Sequence, residues 1–138
     1  MKFDHIGIFV KNLKFGRAKI RSFLDIVSMS KEIKDPLHRV IVQFLYDKND
    51  ICYELVAPYK KNNPVDQVIK SKKNIINHIA YKVKNFDKKI NYLKKKNCIL
   101  LGQIKPAVAF HNSRIAFFLT SIGIILEIIE DKNKKVSQ

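Results

Sequence analysis

Residues 3–10 alternate, with Ile6, Ile8 and Val10 on one face of an expected strand and His5, Gly7 and Phe9 on the other. Two further strand-like runs cover residues 39–46 and 51–56, joined by a polar hairpin loop at 47–50. Between the first and second runs, Phe15, Ile20, Phe23, Leu24 and Val27 recur at helical spacing, which predicts a helix over residues 15–27. Asp35-Pro36 breaks the chain before the next strand. Residues 57–64 read as a linker, and a short helix is expected over 65–70. The pattern then restarts with a strand over 76–83, a helix over 87–96 and strands over 99–103, 114–119 and 124–129, the last two joined by a turn at 120–123. The polar residues after Asp131 are expected to fray.

The restart is an internal repeat. Asp4-His5-Ile6-Gly7-Ile8-Phe9-Val10-Lys11-Asn12-Leu13 returns as Asn77-His78-Ile79-Ala80-Tyr81-Lys82-Val83-Lys84-Asn85-Phe86, and Tyr53-Glu54-Leu55-Val56 returns as Leu126-Glu127-Ile128-Ile129. The offset is 73 residues at both ends (78 − 5 and 127 − 54), and Val42, Phe44 and Leu45 fall on Ile115, Phe117 and Phe118 without a gap. The expectation is an α+β fold of two tandem βαβββ modules, residues 1–58 and 75–131, with a linker at 59–74 and a polar tail at 132–138. Each module is too small to bury a core alone, so the two should pack together as one domain with a pseudo-twofold relation.

Composition narrows the function. The chain has 138 residues, of which 46% are hydrophobic and 28% charged, so a disordered chain is excluded. Lys and Arg number 27 against 12 Asp and Glu, a net charge of +15 that points to an anionic partner. The lysines are scattered apart from Lys94-Lys95-Lys96 and a looser tail group of Lys132, Lys134 and Lys135. Nucleic acid would need a clustered basic face interleaved with aromatics or arginine, so a small anionic substrate is the better-matched partner. No apolar run reaches the ~18 residues of a membrane span, and the start of the chain lacks the apolar stretch of a secretory signal. Cys52 and Cys98 lie in apolar segments as packed thiols, which suits a reducing cytoplasm.

A lone histidine on a strand is most often simply packed, and His38 and His111, near loop ends and without matched partners, keep that reading. His5, Glu54, His78 and Glu127 differ because one offset relates them. In each module a histidine stands early in the first strand and a glutamate within the last, flanked by apolar residues. A carboxylate in such a place is costly unless paired or bound to a metal. Two imidazoles and two carboxylates suit one five- or six-coordinate divalent cation held between the modules, with water in the open positions. Cobalt, nickel, manganese and zinc all tolerate this donor set. Cys52 shares the strand face of Glu54, where it is expected to be a small wall residue of the cavity.

The segments His5-Ile6-Gly7-Ile8, Tyr53-Glu54-Leu55-Val56-Ala57-Pro58, Asn77-His78-Ile79-Ala80-Tyr81 and Gly123-Ile124-Ile125-Leu126-Glu127-Ile128-Ile129-Glu130 resemble the vicinal oxygen chelate superfamily. The resemblance extends to Asp131 and is closest to the branch containing glyoxalase I and methylmalonyl-CoA epimerase. It implies paired βαβββ modules forming a U-shaped open barrel around a divalent metal, with His5, Glu54, His78 and Glu127 as ligands. A glutamate at the position of Glu54 favours this branch over the extradiol dioxygenases, and four intact ligands argue against a pure binding role. The implied chemistry is proton transfer at a carbon next to a carbonyl through a metal-stabilised enediolate, by an isomerase or lyase acting on a small anionic carbonyl or thioester compound. Epimerase-like activity leads, with a glyoxalase I-like lyase or a non-catalytic ligand-binding protein as alternatives and a homodimer left open. Glu127 is the expected proton-transfer base, and Glu54 the second catalytic carboxylate. Epimerases usually carry an acidic residue just before the second strand. Here that segment reads Pro36-Leu37-His38-Arg39-Val40, which leaves His38 or Glu32 as candidates for a second base.

Overall fold

The structure is a computed structural model and describes residues 1–73 and 75–133. Lys134 and Lys135, the linker's Asn74 and the end of the expected frayed tail lie outside the described residues. The described residues contain nine strands, three α-helices and one short 3-10 turn, an α+β architecture. They divide into two compact units, one of His5–Asn77 and one combining Met1–Asp4 with the chain from His78 onward.

In the first unit the strands are β1 (Lys2–Phe9), β2 (Ile26–Met29), β3 (Ile33–Asp35), β4 (Val40–Asp47) and β5 (Cys52–Pro58), and the helices are α1 (Leu13–Phe23) and α2 (Pro64–Ser71). Strand order is β2-β4-β5-β1, with β3 also on β4. β1 runs parallel to β5, with Ile6 opposite Tyr53 and Gly7 opposite Glu54, and β4 runs antiparallel to β5, with Phe44 opposite Glu54. Leu13 and Ile20 of α1 pack with Leu45, Leu55 and Ala57, and Ile8 and Val10 join them. That fixes one face of the strands toward the helix and sends His5, Gly7, Glu54 and Phe44 to the other.

The buried face of α1 is Leu13, Gly16 and Ile20; of the expected stripe Ile20 is buried and Leu24 packs on the core, whereas Phe15, Phe23 and Val27 are exposed. Gly16 is chosen by space, because a Cβ there would lie 2.8–2.9 Å from the Val10 side chain. Phe15 instead lies on the surface under Lys11, whose Nζ sits 4.0 Å from the ring centroid. The helix also stops at Phe23, four residues early, with Leu24 extended. β-branched Ile26 and Val27 then enter β2, which pairs with β4, so tertiary pairing overrides the helical spacing. β3 was likewise unforeseen, since its three residues gain strand structure only by pairing with Val40–Val42. The hairpin loop after β4 is as expected: Asp47 Oδ1 accepts from the N–H groups of Asn49 and Ile51. α2 starts where Asn63 caps the N–H groups of Val65 and Asp66, with Pro64 at its first position.

The second unit repeats the scheme with β6 (Ile76–Val83), α3 (Phe86–Lys95), β7 (Ile99–Ala107), β8 (Ser113–Leu119) and β9 (Ile125–Glu130), in strand order β6-β9-β8-β7. Ile79 lies opposite Leu126, Ala80 opposite Glu127 and Phe117 opposite Glu127, so the pairings around His5 and Glu54 recur 73 residues on (79 − 6, 126 − 53, 117 − 44). Val83, Phe86, Ile90, Leu93, Phe118 and Ile128 form the core under α3. Ala80, Ala107, Ile115 and Ile129 form a smaller cluster on the opposite strand face. β7 runs four residues past its expected end at 103, through a register shift between Leu101 and Lys105 where Gly102 takes a φ of +67°. Pro106 is tolerated there because β7 is an edge strand. The first residues of the chain belong with this unit: the Phe3 ring packs edge-on to Tyr81 at 5.7 Å, and Asp4 lies 3.6 Å from Lys82.

Candidate functional site

Strand alternation decides which side chains meet. In the first unit His5 and Glu54 stand on neighbouring parallel strands, one register step apart on the face away from α1, and His5 Nε2 lies 3.4 Å from Glu54 Oε1. In the second unit His78 Nε2 lies 3.1 Å from Glu127 Oε1. All four residues are buried, His5 at 0% and Glu127 at 1% exposure, so neither carboxylate is relieved by bulk water.

The donor chemistry fits a divalent cation. Nitrogen and oxygen donors sit ~2.0–2.2 Å from such an ion, so two in neighbouring coordination positions stand about 3.0–3.5 Å apart. Both Nε2–Oε1 separations fall in that interval. Each pair also has an aromatic neighbour. The Phe44 ring meets the His5 imidazole edge-on at 5.9 Å and 69°, and the Phe117 ring meets His78 at 5.3 Å and 76°. The repeat held the signal for these residues, since Phe44 and Phe117 are matched positions, but only the fold reveals the contact. Cys52 is buried at the start of β5, on the strand face of Glu54.

The two candidates for a second base part company. Glu32 Oε2 lies 3.7 Å from Arg17 of α1 and lines a groove with Leu13, Ile41 and Ala57, so it stands on the helix side of the strands, away from Glu54. His38 lies beside Asp35: its backbone N–H donates to Asp35 Oδ1 at 3.2 Å and its Nε2 is 4.0 Å from Oδ2. Asp35 is 4% exposed and pairs with Val40, which places it on the strand face shared by Phe44 and Glu54. His38 was already a candidate from the sequence, but the buried Asp35 beside it was not readable there.

Charge is less evenly spread than the sequence suggests. Lys2, Lys82, Lys84, Lys88 and Lys89 line one groove of about 690 Å³ in the second unit, with Tyr92. Three of the four arginines are engaged within the protein. Arg17 donates to Gln43, Arg39 to the Lys61 carbonyl, and Arg114 to both Asp87 and Glu130. Hydrogen bonding to Arg114, reinforced by its charge, outweighs desolvation and holds the Glu130 carboxyl below its ordinary pKa.

Residues 4–117 match the Glyoxalase/Bleomycin resistance protein/Dioxygenase superfamily, and the chain belongs to it. Among curated proteins it is similar to the uncharacterized protein YqjC of Bacillus subtilis (strain 168), 24% identical over 133 residues, which covers 95% of this chain and 93% of that protein. Among solved structures, a hypothetical protein from Bacillus halodurans C-125 aligns with a TM-score of 0.80 at 24% identity, covering 99% of this chain and 98% of the other. Methylmalonyl-CoA epimerase from Mycobacterium tuberculosis aligns at 0.75 and 21% identity, covering 94% and 87% of the two chains. A Streptomyces coelicolor methylmalonyl-CoA epimerase in complex with 2-nitronate-propionyl-CoA aligns at 0.74 and 18% identity, covering 96% and 98%. These likenesses establish a shared fold. Among the described residues no helix is long and apolar enough to cross a membrane.

Proposed function

We propose that the two His–Glu pairs hold one divalent cation and that the protein is a metal-dependent isomerase of the epimerase type, acting on a small anionic thioester or related carbonyl compound. The observation that carries this reading is the duplication: two buried His–Glu pairs with matched strand register and matched donor spacing, 73 residues apart (78 − 5 and 127 − 54). A buried carboxylate is costly unless its charge is offset, and one cation taking four donors would offset both at once. When bound, the cation would supply Lewis-acid stabilisation of the negative charge that develops on substrate oxygens.

The protein's own residues do the rest. His5 and His78 serve as neutral nitrogen donors, and Glu54 and Glu127 offset the cation's charge in a dry site. Glu127 takes the proton from the carbon next to the carbonyl. The C–H electron pair becomes the new carbon–carbon double bond, and the carbonyl oxygen receives the charge. Return of that proton by Glu127 to the same face restores the substrate and is seen only as exchange with solvent, whereas delivery of a proton to the opposite face by a second acid, with Glu127 releasing its own proton to solvent, completes the epimerisation. His38 beside Asp35 is better placed than Glu32 to act as a second base, because Glu32 is engaged with Arg17 on the helix side. The structural likeness to methylmalonyl-CoA epimerases favours a thioester substrate over a glutathione adduct. The engagement of Arg17, Arg39 and Arg114 within the protein points the same way.

The test is a screen for metal-dependent incorporation of solvent deuterium at carbons next to a carbonyl, run over acyl thioesters and hemithioacetals. Exchange into a thioester that is abolished by chelator and restored by cobalt supports the reading. Exchange with hemithioacetals alone moves the assignment to a glyoxalase-type lyase. No exchange, in protein that also binds no metal, overturns it in favour of a ligand-binding protein.

A further inference from the structure

We propose that Phe44 and Phe117 are positioning residues that fix the planes of the His5 and His78 imidazoles so that each Nε2 faces its carboxylate. The inference rests on the metal reading above and deepens it. Each phenylalanine lies directly opposite the glutamate of its own pair, Phe44 across from Glu54 and Phe117 across from Glu127. Each ring also meets the histidine of that pair edge-on, at 5.9 Å and 69° in one unit and 5.3 Å and 76° in the other. The surrounding positions did not keep their identity across the repeat. Ile41 corresponds to Arg114, Gln43 to Ala116 and Tyr46 to Leu119, while phenylalanine stands at both 44 and 117.

The physical need is specific. The torsion that turns an imidazole about its bond to Cβ is broad, so burial alone does not choose which nitrogen points where. An edge-to-face contact fixes the ring plane, because the positive rim of one ring seeks the negative face of the other, and within that plane the carboxylate partner selects the flip that turns Nε2 toward it. A histidine already held with Nε2 toward the carboxylate surrenders less freedom when a cation arrives. An aliphatic side chain of similar bulk would fill the space without setting the angle.

The experiment is cobalt titration of the purified apoprotein and of Phe44→Leu, Phe117→Leu and the double variant. Phe118→Leu is the packing control, since Phe118 is fully buried on the opposite strand face beneath α3. Each single variant should bind cobalt roughly ten-fold more weakly, and the double variant roughly a hundred-fold, the scale on which groups that orient metal ligands act. The visible ligand-field bands of saturated Co²⁺ should shift in both single variants. Phe118→Leu should lower the melting temperature of the apoprotein as much as the others do, yet leave affinity and spectrum unchanged. Unchanged affinity and spectrum in both Phe44→Leu and Phe117→Leu, with wild type binding cobalt, overturn the positioning role alone. A wild-type protein that binds no cobalt overturns the metal reading and this inference with it.

Discussion

Glu127 and Glu54 have the same chemistry and nearly the same burial, yet their proposed roles are unequal. Either carboxylate would supply an oxygen donor to the cation and could also take a proton from an adjacent carbon, whereas an imidazole held as a neutral donor would have no free lone pair with which to do so. Glu127→Gln keeps the size and one oxygen donor while removing basicity. It should retain measurable metal and lose about 10²-fold or more in deuterium exchange, with Glu54→Gln the milder of the two. The reverse order would make Glu54 the base. Cys52 tests the other side of the argument. It shares the face of Glu54 but has no assigned chemical role, so Cys52→Ala should keep most of the exchange rate, and a loss on the scale of Glu127→Gln would show that it contacts substrate. The two His–Glu pairs were legible because duplication marks a matched histidine out from a lone packed one. Asp35 beneath His38 was not, because one buried aspartate on a three-residue strand has no repeat partner to mark it.

At the scale of elements, α1 shows what hydrophobic spacing can and cannot say. Phe15 and Phe23 fit a helical stripe but face outward, and the contact that seats the helix is made by Gly16 against the stiff, β-branched Val10. Gly16→Ala should therefore destabilise the protein by about 1–2 kcal/mol. Overpacking typically costs ~1–3 kcal/mol, which outweighs the ~1 kcal/mol helix-propensity gain from alanine. Urea unfolding measures it, and a stabilised variant would mean that helix and strand separate at no cost. β2 and β3 were invisible for a related reason: each is defined by its pairing with β4 rather than by a residue pattern of its own. The element-level ion pairs make a pH prediction. Arg114 joins β8 to both Glu130 of β9 and Asp87 of α3, and its guanidinium lies 4.6 Å from the centroid of the Phe86 ring. Because the Glu130 pKa is lowered in the folded state, its stabilisation is full above the ordinary carboxylate range. It is lost as pH falls through that lowered value. Arg114 is 40% exposed, so solvent screening keeps the whole contribution to about 1 kcal/mol. Arg114→Ala should lower Tm by about 3 °C at neutral pH. The gap to wild type should close in acid below pH ~4. A gap independent of pH would assign the loss to packing on Phe86 instead.

For the molecule as a whole, the βαβββ plan was readable because the repeat keeps both its residues and its register: the Gly7–Glu54 pairing returns as Ala80–Glu127. The gathering of five lysines along one groove was not readable, since Lys2, Lys82, Lys84, Lys88 and Lys89 come together only when the chain's first residues join the second unit. A single cation served by two half-sites, one from each repeat, is the core of the proposed function. Native mass spectrometry of the apoprotein titrated with Co²⁺, with wild type, His5→Ala and His78→Ala measured side by side, tests it most directly. One ion per chain is expected in wild type, with a loss of affinity of at least ten-fold in each variant, similar in size because each removes one equivalent nitrogen donor. Two ions per chain, or one variant that binds as tightly as wild type, would contradict it.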